Sequence, residues 1–326
     1  MASLRDVLFQ APLPNGIASF HTLPGAGKPT LSQKTWVTGY DEVRDFYQFY
    51  TNPTQEQIND VFGVENAFDD YLLNREVSPL NGTTEWLQNE GDSVRTFYTK
   101  VSEPIQFAFQ SRGTPPIIQR SESGPLGHTD VSQTIDFTWG CGDRCLVIGE
   151  LKRHGIIEVA RWTGERPTDT NRRWLGKEIR AYCYKYKCFA ALVFDGQFLL
   201  IFIFQAQSAE LIAQQDCQVT GLLFSSDCVT LRYGLFRTLT HQIQRMQADR
   251  APAVILDGYI RRFEWWSGCP YWVNRNNERE EYPAHPNGYL RKLDPESGAW
   301  HWVDANGNVV LDGNGLVVWD TRSLEY

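Results

Sequence analysis

Residues 136 to 153 read DFTWGCGDRCLVIGELKR, and three charged side chains in this stretch, Asp136, Glu150 and Lys152, are spaced for joint chemistry. Side chains alternate along a strand, so Glu150 and Lys152 share one side while Val147, Gly149 and Leu151 take the other. A hairpin turning at Gly140-Cys141-Gly142-Asp143 brings Asp136 to the side of Glu150 and Lys152. Two carboxylates and a main-chain carbonyl, that of Leu151, then offer hard oxygens to Mg²⁺ or Mn²⁺. Such a centre suits metal-assisted hydrolysis of a phosphodiester, with Lys152 orienting the attacking water or stabilising the developing charge.

A further acid precedes this hairpin. The spacing predicts a helix from about Asn89 to Val101, in which Val94, Phe97, Tyr98 and Val101 share a face and Glu90 lies one turn before Val94 on it. One explanation is local: an acid in a first helical turn is favoured by the helix dipole and the free N–H groups. The other makes Glu90 a further oxygen ligand of the same metal. Glu-x-Lys by itself is weak evidence, because an exposed pair at a strand end is worth under about 1 kcal/mol. The conjunction of an Asp on the preceding strand, an apolar strand leading into Glu-x-Lys, an amphipathic helix and another apolar strand is stronger.

The elements that must hold these residues follow from periodicity and turn chemistry. Residues 1–78 read as an irregular arm and a helical lead-in, with Thr54-Gln55-Glu56-Gln57 fitting a capping box within the helical patterns of Asp41 to Glu76. GAGKPT near residue 27 lacks the first glycine of a phosphate loop, since position 22 is Thr, and Pro29 removes a needed backbone donor. Residues 79–250 form the expected core: the helix of Glu90, a Gly/Pro/Ser-rich connection over 111–128, strands 131–139 and 145–153, a helix from Asn171 to Lys187, and a hairpin turning at Asp195-Gly196-Gln197. On the Asn171 helix, Leu175, Glu178, Ala181 and Tyr182 lie toward one side. Arg173, Lys177, Arg180, Tyr184 and Lys187 form a basic stripe on another that, beside Lys152 and Arg153, suits phosphate binding or simple solvation. Residues 251–326 change to short aromatic strands between Gly, Pro and Asn turns, and Trp265, Trp266, Trp272, Trp300 and Trp302 suit the core of a small β-rich region better than a stacking surface.

With 326 residues, 42% hydrophobic and 21% charged, the chain can bury a sizeable core and is expected to be globular. The net charge of -8 means that any polyanion must be met by a local basic surface. The run from Cys188 to Phe204 is split by Asp195-Gly196 and falls short of the about 20 residues of a membrane span, so no membrane partner is expected. Seven scattered cysteines fit reduced thiols, and the N-terminal residues resemble neither a signal nor an anchor, so an intracellular protein is expected.

NEGDSVRTFYTKVSEPI, SQTIDFTW, LVIGELKRHGII, EIRAYCYKYKCFAALVFDGQFLL and the tail FEWWSGCPYWV to ESGAWHW, together spanning residues 80 to 320, resemble the PD-(D/E)XK nuclease superfamily. The wider wording resembles nuclease-like proteins of filamentous fungi. The resemblance implies a restriction-endonuclease-like α/β fold, a mixed sheet flanked by helices, with the aromatic β-rich C-terminal region added. It implies a Mg²⁺ or Mn²⁺ site and cleavage of DNA or RNA, with Asp136 and Glu150 as metal ligands, Lys152 as catalytic lysine and Glu90 as accessory acid. The motif's proline is replaced by Ile135, and where many members carry Gln in the following helix this chain offers Glu178 or Arg180. The alternative is an inactive or repurposed nuclease fold acting in binding, regulation or a fungal biosynthetic pathway.

Overall fold

The computed structural model describes residues 2–12, 34–77, 90–109, 117–123, 135–280, 285–294, 297 and 299–321, and GAGKPT lies outside them. In chain order the strands are β1 (Ala2–Ser3), β2 (Gln48–Thr51), β3 (Glu76–Val77), β4 (Ile118–Ser123), β5 (Ile135–Cys141), β6 (Arg144–Leu151) and β7 (Ala190–Phe194). They continue as β8 (Phe198–Phe204), β9 (Val219–Ser225), β10 (Ile255–Leu256), β11 (Tyr259–Phe263), β12 (Pro270–Val273), β13 (Leu290–Leu293) and β14 (Trp300–Val303). The α-helices are α1 (Leu4–Leu8), α2 (Gln55–Phe62), α3 (Ala67–Leu73), α4 (Glu90–Thr96), α5 (Glu103–Gln106), α6 (Val159–Trp162), α7 (Thr170–Tyr186), α8 (Ala209–Ile212) and α9 (Leu231–Arg250).

Seven strands form one mixed sheet in the order β2-β9-β8-β7-β6-β5-β4. Two tight turns build its centre: Gly142 at φ 59° joins β5 to β6, and Gly196 at φ 87° joins β7 to β8, both in the left-handed region that glycine enters without a Cβ penalty. β6 and β7 run parallel, and parallel neighbours need a crossover, which α6 and α7 supply. α7 covers one face of the sheet, where Leu175, Ile179, Tyr182 and Cys183 pack with Ile148, Val193 and Phe202. α9 covers the other, packing Leu235, Leu239 and Ile243 in the same core as Phe137, Trp139, Val147 and Ile201. The buried Arg232 of α9 donates to Lys100 O, Val7 O and Gln10 O, tying the N-terminal helices to that layer.

The predicted hairpins and the α7 helix are found nearly at their expected bounds. The capping box is formed, with Gln57 N donating to Thr54 Oγ1 at 3.3 Å and Thr54 N to Gln57 Oε1 at 2.9 Å. Two strands were hidden. β2 falls inside the stretch expected to be helical and pairs in parallel with β9, where Gly221 leaves room for Phe46 and Phe49. β4 falls inside the expected Gly/Pro/Ser-rich connection; as a polar edge strand beside β5 it carries no apolar alternation to announce it. The helix begun by α4 also runs past Val101, through a π-helical turn at Phe97–Ser102 into α5.

The C-terminal region packs on this core. Trp272 and Trp302 meet edge to face at 5.0 Å with Val254 and Leu256 around them, whereas Trp300 joins the α9-side core and Trp266 packs against it. Trp265 is 44% exposed, so the expected aromatic core holds for Trp272, Trp300 and Trp302. A repeat emerges here. At Asn274, Asp304 and Asp312 the same turn recurs, each side-chain Oδ1 accepting the N–H groups two and four residues on. Each turn is closed by an antiparallel bridge, Val273 to Arg279, Val303 to Val309 and Leu311 to Val317.

Gly149 lies directly opposite Phe137, and a Cβ there would stand 2.0 Å from the Phe137 ring. Gly149→Ala is therefore expected to lower stability by about 1–3 kcal/mol through overpacking, read as a drop in the urea midpoint. An unchanged midpoint would show that the ring is not held against β6.

Candidate functional site

β6 delivers its last residues to the α7 side by simple alternation. Ile148 packs under α7, Val147 and Leu151 face the α9 layer, and Glu150, 3% exposed, takes the α7 side. Pairing with β7 extends to Lys152, whose N–H donates to Phe194 O at 2.8 Å. On the neighbouring strand, Asp136 Oδ2 accepts the N–H of Leu151 at 2.5 Å, which sets its carboxylate against the main chain between Glu150 and Lys152. The structure thus brings together Asp136, Glu150 and Lys152.

α7 adds two groups that face the strand end. Glu178 is buried, with one oxygen 3.8 Å from Lys152 Nζ, and Tyr182 lies one helical turn further along. A fifth charge comes from far earlier in the chain. Lys34 Nζ sits 2.5 Å from Glu178 Oε1 and 3.3 Å from Glu150 Oε1, and donates to Tyr182 Oη at 2.7 Å. Lys152 Nζ also donates to Glu150 Oε1, so two ammonium groups share the glutamate pair.

The electrostatics follow from burial. Desolvation works to lower the pKa of both Lys34 and Lys152, but the fields of Glu150 and Glu178 outweigh it and hold both above the ordinary lysine value. Desolvation, and then the charge of Glu150, raise the pKa of Glu178 against the opposing pull of Lys152 and Lys34. Tyr182 is pushed far up by burial and by the two glutamates, so its hydroxyl stays protonated and serves as a hydrogen-bonding group.

The loop after Lys152 is anchored separately. The buried Asp195 carboxylate accepts N–H groups of Gly155 at 3.2 Å, Ile157 at 3.0 Å, Gln197 at 3.1 Å and Phe198 at 2.9 Å. One side chain thereby joins the β7–β8 turn to the segment that leaves the site.

The other expected site residues fall as follows. Glu90 is the first residue of α4 and its side chain lies outside the described residues; Val94 of that helix and Phe97 just after it pack on the α9 side of the sheet. Leu151 directs its side chain into the α9-side core. Arg153 and Arg173 are exposed and Lys177 is half-buried. Arg180 departs from the expected stripe: it is 2% exposed, and its guanidinium donates to Ile212 O at 2.7 Å and Gln214 O at 2.6 Å. It binds the carbonyls around α8, because its place on the helix turns it toward the α8 turn and away from the exposed Arg173. Lys34 and Tyr182 were not foreseen. The acid Glu178 beside Leu175 and Tyr182 on a buried helix face was a signal, whereas Lys34, 116 residues before Glu150, left none.

Among the described residues no group of three or more His, Cys, Asp or Glu side chains is arranged to hold a metal ion. The donor chemistry of Asp136 and Glu150 nevertheless fits Mg²⁺, which keeps several waters and takes one or two carboxylates. Glu150 Oε2 is buried with no hydrogen-bond partner among the described residues, an oxygen that a cation would satisfy. No helix among the described residues is long and apolar enough to cross a membrane. Comparison with family models, curated proteins and solved structures finds no match for this chain.

Glu178 binds its proton more tightly in the folded chain than its ordinary value of 4.5. The stability it contributes is full below pH 4.5 and is lost as pH rises through the raised folded pKa. The urea midpoint of Glu178→Gln relative to the natural chain should therefore shift in the variant's favour as pH climbs from 4 toward about 8. A difference independent of pH would mean that Glu178 is not held above its ordinary value.

Proposed function

We propose that this chain is a metal-dependent nuclease of the PD-(D/E)XK type, hydrolysing phosphodiester bonds of DNA or RNA at Asp136, Glu150 and Lys152. The observation that carries the reading is the convergence of Asp136 on the main chain between Glu150 and Lys152, with Glu178 opposite them on the crossover helix. The order of helix, three strands, crossover helices and two strands around them, from α5 through β4, β5, β6, α6 and α7 to β7 and β8, supports a restriction-endonuclease-like arrangement.

In this reading Asp136 and Glu150, with the Leu151 carbonyl, hold Mg²⁺ or Mn²⁺, and Glu90 is the accessory acid. Bound there, the ion supplies polarisation of the phosphate and a lowered pKa for a coordinated water. Lys152, kept protonated by the two glutamates, places a positive charge beside the attacked phosphorus and holds a water by hydrogen bonding. The exposed Arg153 and Arg173, with Lys177, offer the local basic surface that a chain of net charge -8 needs to hold a phosphate backbone.

A second reading is favoured by one observation. Both glutamates are already paired with internal ammonium groups, as in a structural ion cluster within a nuclease-like fold that binds or regulates without cutting.

Cleavage assays on mixed single- and double-stranded DNA and RNA with Mg²⁺ or Mn²⁺ separate the two. Lys152→Ala is expected to lower cleavage by about 10²–10⁴-fold while Mn²⁺ still binds, whereas Glu150→Ala weakens Mn²⁺ binding itself. Changing Arg153, Arg173 and Lys177 together to Ala is expected to weaken nucleic-acid affinity and flatten its salt dependence. Absence of cleavage of every substrate by the natural chain would leave the second reading.

A further inference from the structure

The Lys34 ammonium stands where a bound cation would. Three oxygens on two elements converge on it: Glu178 Oε1 at 2.5 Å and Tyr182 Oη at 2.7 Å from α7, and Glu150 Oε1 at 3.3 Å from β6. Beside it, the buried Glu150 Oε2 has no hydrogen-bond partner among the described residues. An ammonium's three N–H groups match those three oxygens in number, but it brings only one charge and leaves Glu150 Oε2 unsatisfied. A divalent ion brings two charges and accepts six or more oxygens.

Charge balance points the same way. Among the described residues, Asp136, Glu150 and Glu178 place three carboxylates at the strand end, and Lys34 and Lys152 place two ammonium groups there. With Lys34 replaced by a divalent ion, Lys152 and that ion together would balance the three carboxylates. Buried charge is tolerated in proportion to such balance.

The segment carrying Lys34 forms a single helical turn at Thr35–Val37 and is no part of the sheet. It lies along α7 through side chains: Trp36 meets the Tyr182 ring at 5.1 Å and carries the Lys185 ammonium over its own ring at 4.4 Å, and Tyr40 meets Tyr184 at 5.8 Å. The Lys34 side chain is itself 27% exposed, so its path to solvent is open.

We propose that Glu150 and Glu178 form a cation site that takes Mg²⁺ or Mn²⁺ in exchange for the Lys34 ammonium. The inference rests on the nuclease reading for Glu150; it adds Glu178 as a ligand and Lys34 as the competitor that the metal displaces. Metal loading and withdrawal of Lys34 are then one equilibrium, and removing the lysine charge favours the loaded state.

The test is a Mn²⁺ titration of the full chain, following free Mn²⁺ by electron paramagnetic resonance, with circular dichroism confirming that each variant is folded. Lys34→Met keeps the stem and removes the charge, and it is expected to bind Mn²⁺ about tenfold tighter than the natural chain. Adding Glu178→Gln to Lys34→Met is expected to abolish that gain. Should Lys34→Met fail to fold, Lys34→Gln, which keeps a donor toward Tyr182, carries the same expectation. Equal affinity in the natural chain and the lysine variant, no Mn²⁺ binding by either, or a gain that survives Glu178→Gln overturns the exchange. Cleavage is read separately. Exchange without cleavage retains the site and rejects the nuclease, whereas cleavage with unchanged Mn²⁺ affinity retains the nuclease and rejects the exchange.

Discussion

Two glutamates buried between a sheet and a helix cannot remain ionised without compensating charge, because taking a carboxylate out of water costs several kcal/mol even after the protein relaxes. Here the compensation comes from Lys152, two residues beyond Glu150, and from Lys34, on a segment that packs along α7. That requirement reaches through much of the molecule. α7 must cross directly over the end of β6 to bring Glu178 in, and the Lys34–Tyr40 segment must lie on α7 to bring its ammonium in.

The crossing of α7 is itself dictated by the sheet. β6 and β7 are parallel neighbours, so the chain between them has to climb over one face and return. Flanking antiparallel hairpins leave β6 in the sheet interior, buried on both faces from Leu146 on, which is why Leu146, Val147 and Ile148 are apolar. On the opposite face there is no room for a side chain at position 149, because the Phe137 ring occupies that space. The strand that ends in the charged cluster is thereby pressed from below by an aromatic ring and from above by a helix. Asp195 then takes the chain out of the site, its four accepted N–H groups joining the outgoing loop to the β7–β8 turn. A carboxylate with four donors can sit in the interior because its hydrogen-bonding capacity is filled.

The C-terminal region shows a different economy. Its strands are short and its turns repeat one device, an Asn or Asp side chain capping two backbone donors. Apolar burial is concentrated in Trp272 and Trp302, while Asp320 clasps Arg261 at 2.9 Å and Arg291 at 2.7 Å. Trp300 belongs instead to the core beneath α9, so this region is an extension sharing the core's apolar interior.

Local chemistry determined a good deal by itself. Strand periodicity placed Glu150 and Lys152 on one side, glycine turns placed the two central hairpins, and the Thr54 capping box marked a helix start, because each depends on neighbours within a few residues. Elements whose partners lie far along the chain carry no such local signal. The polar edge strand β4 and the short parallel strand β2 owe their conformation to partners far along the chain, β5 and β9. Arg180 shows the limit on a single helix: spacing put it on a basic stripe, but whether a helix face meets solvent or a neighbour depends on what packs there, and the carbonyls at Ile212 and Gln214 claimed it. The same holds for the charged cluster. The amino-acid order specified Asp136, Glu150 and Lys152 as a group, because a hairpin links them, and it marked Glu178 and Tyr182 as sharing a helix face; that this face meets the strand end, and that Lys34 joins it, was decided by tertiary structure, since electrostatic partners are chosen by distance in space and not along the chain.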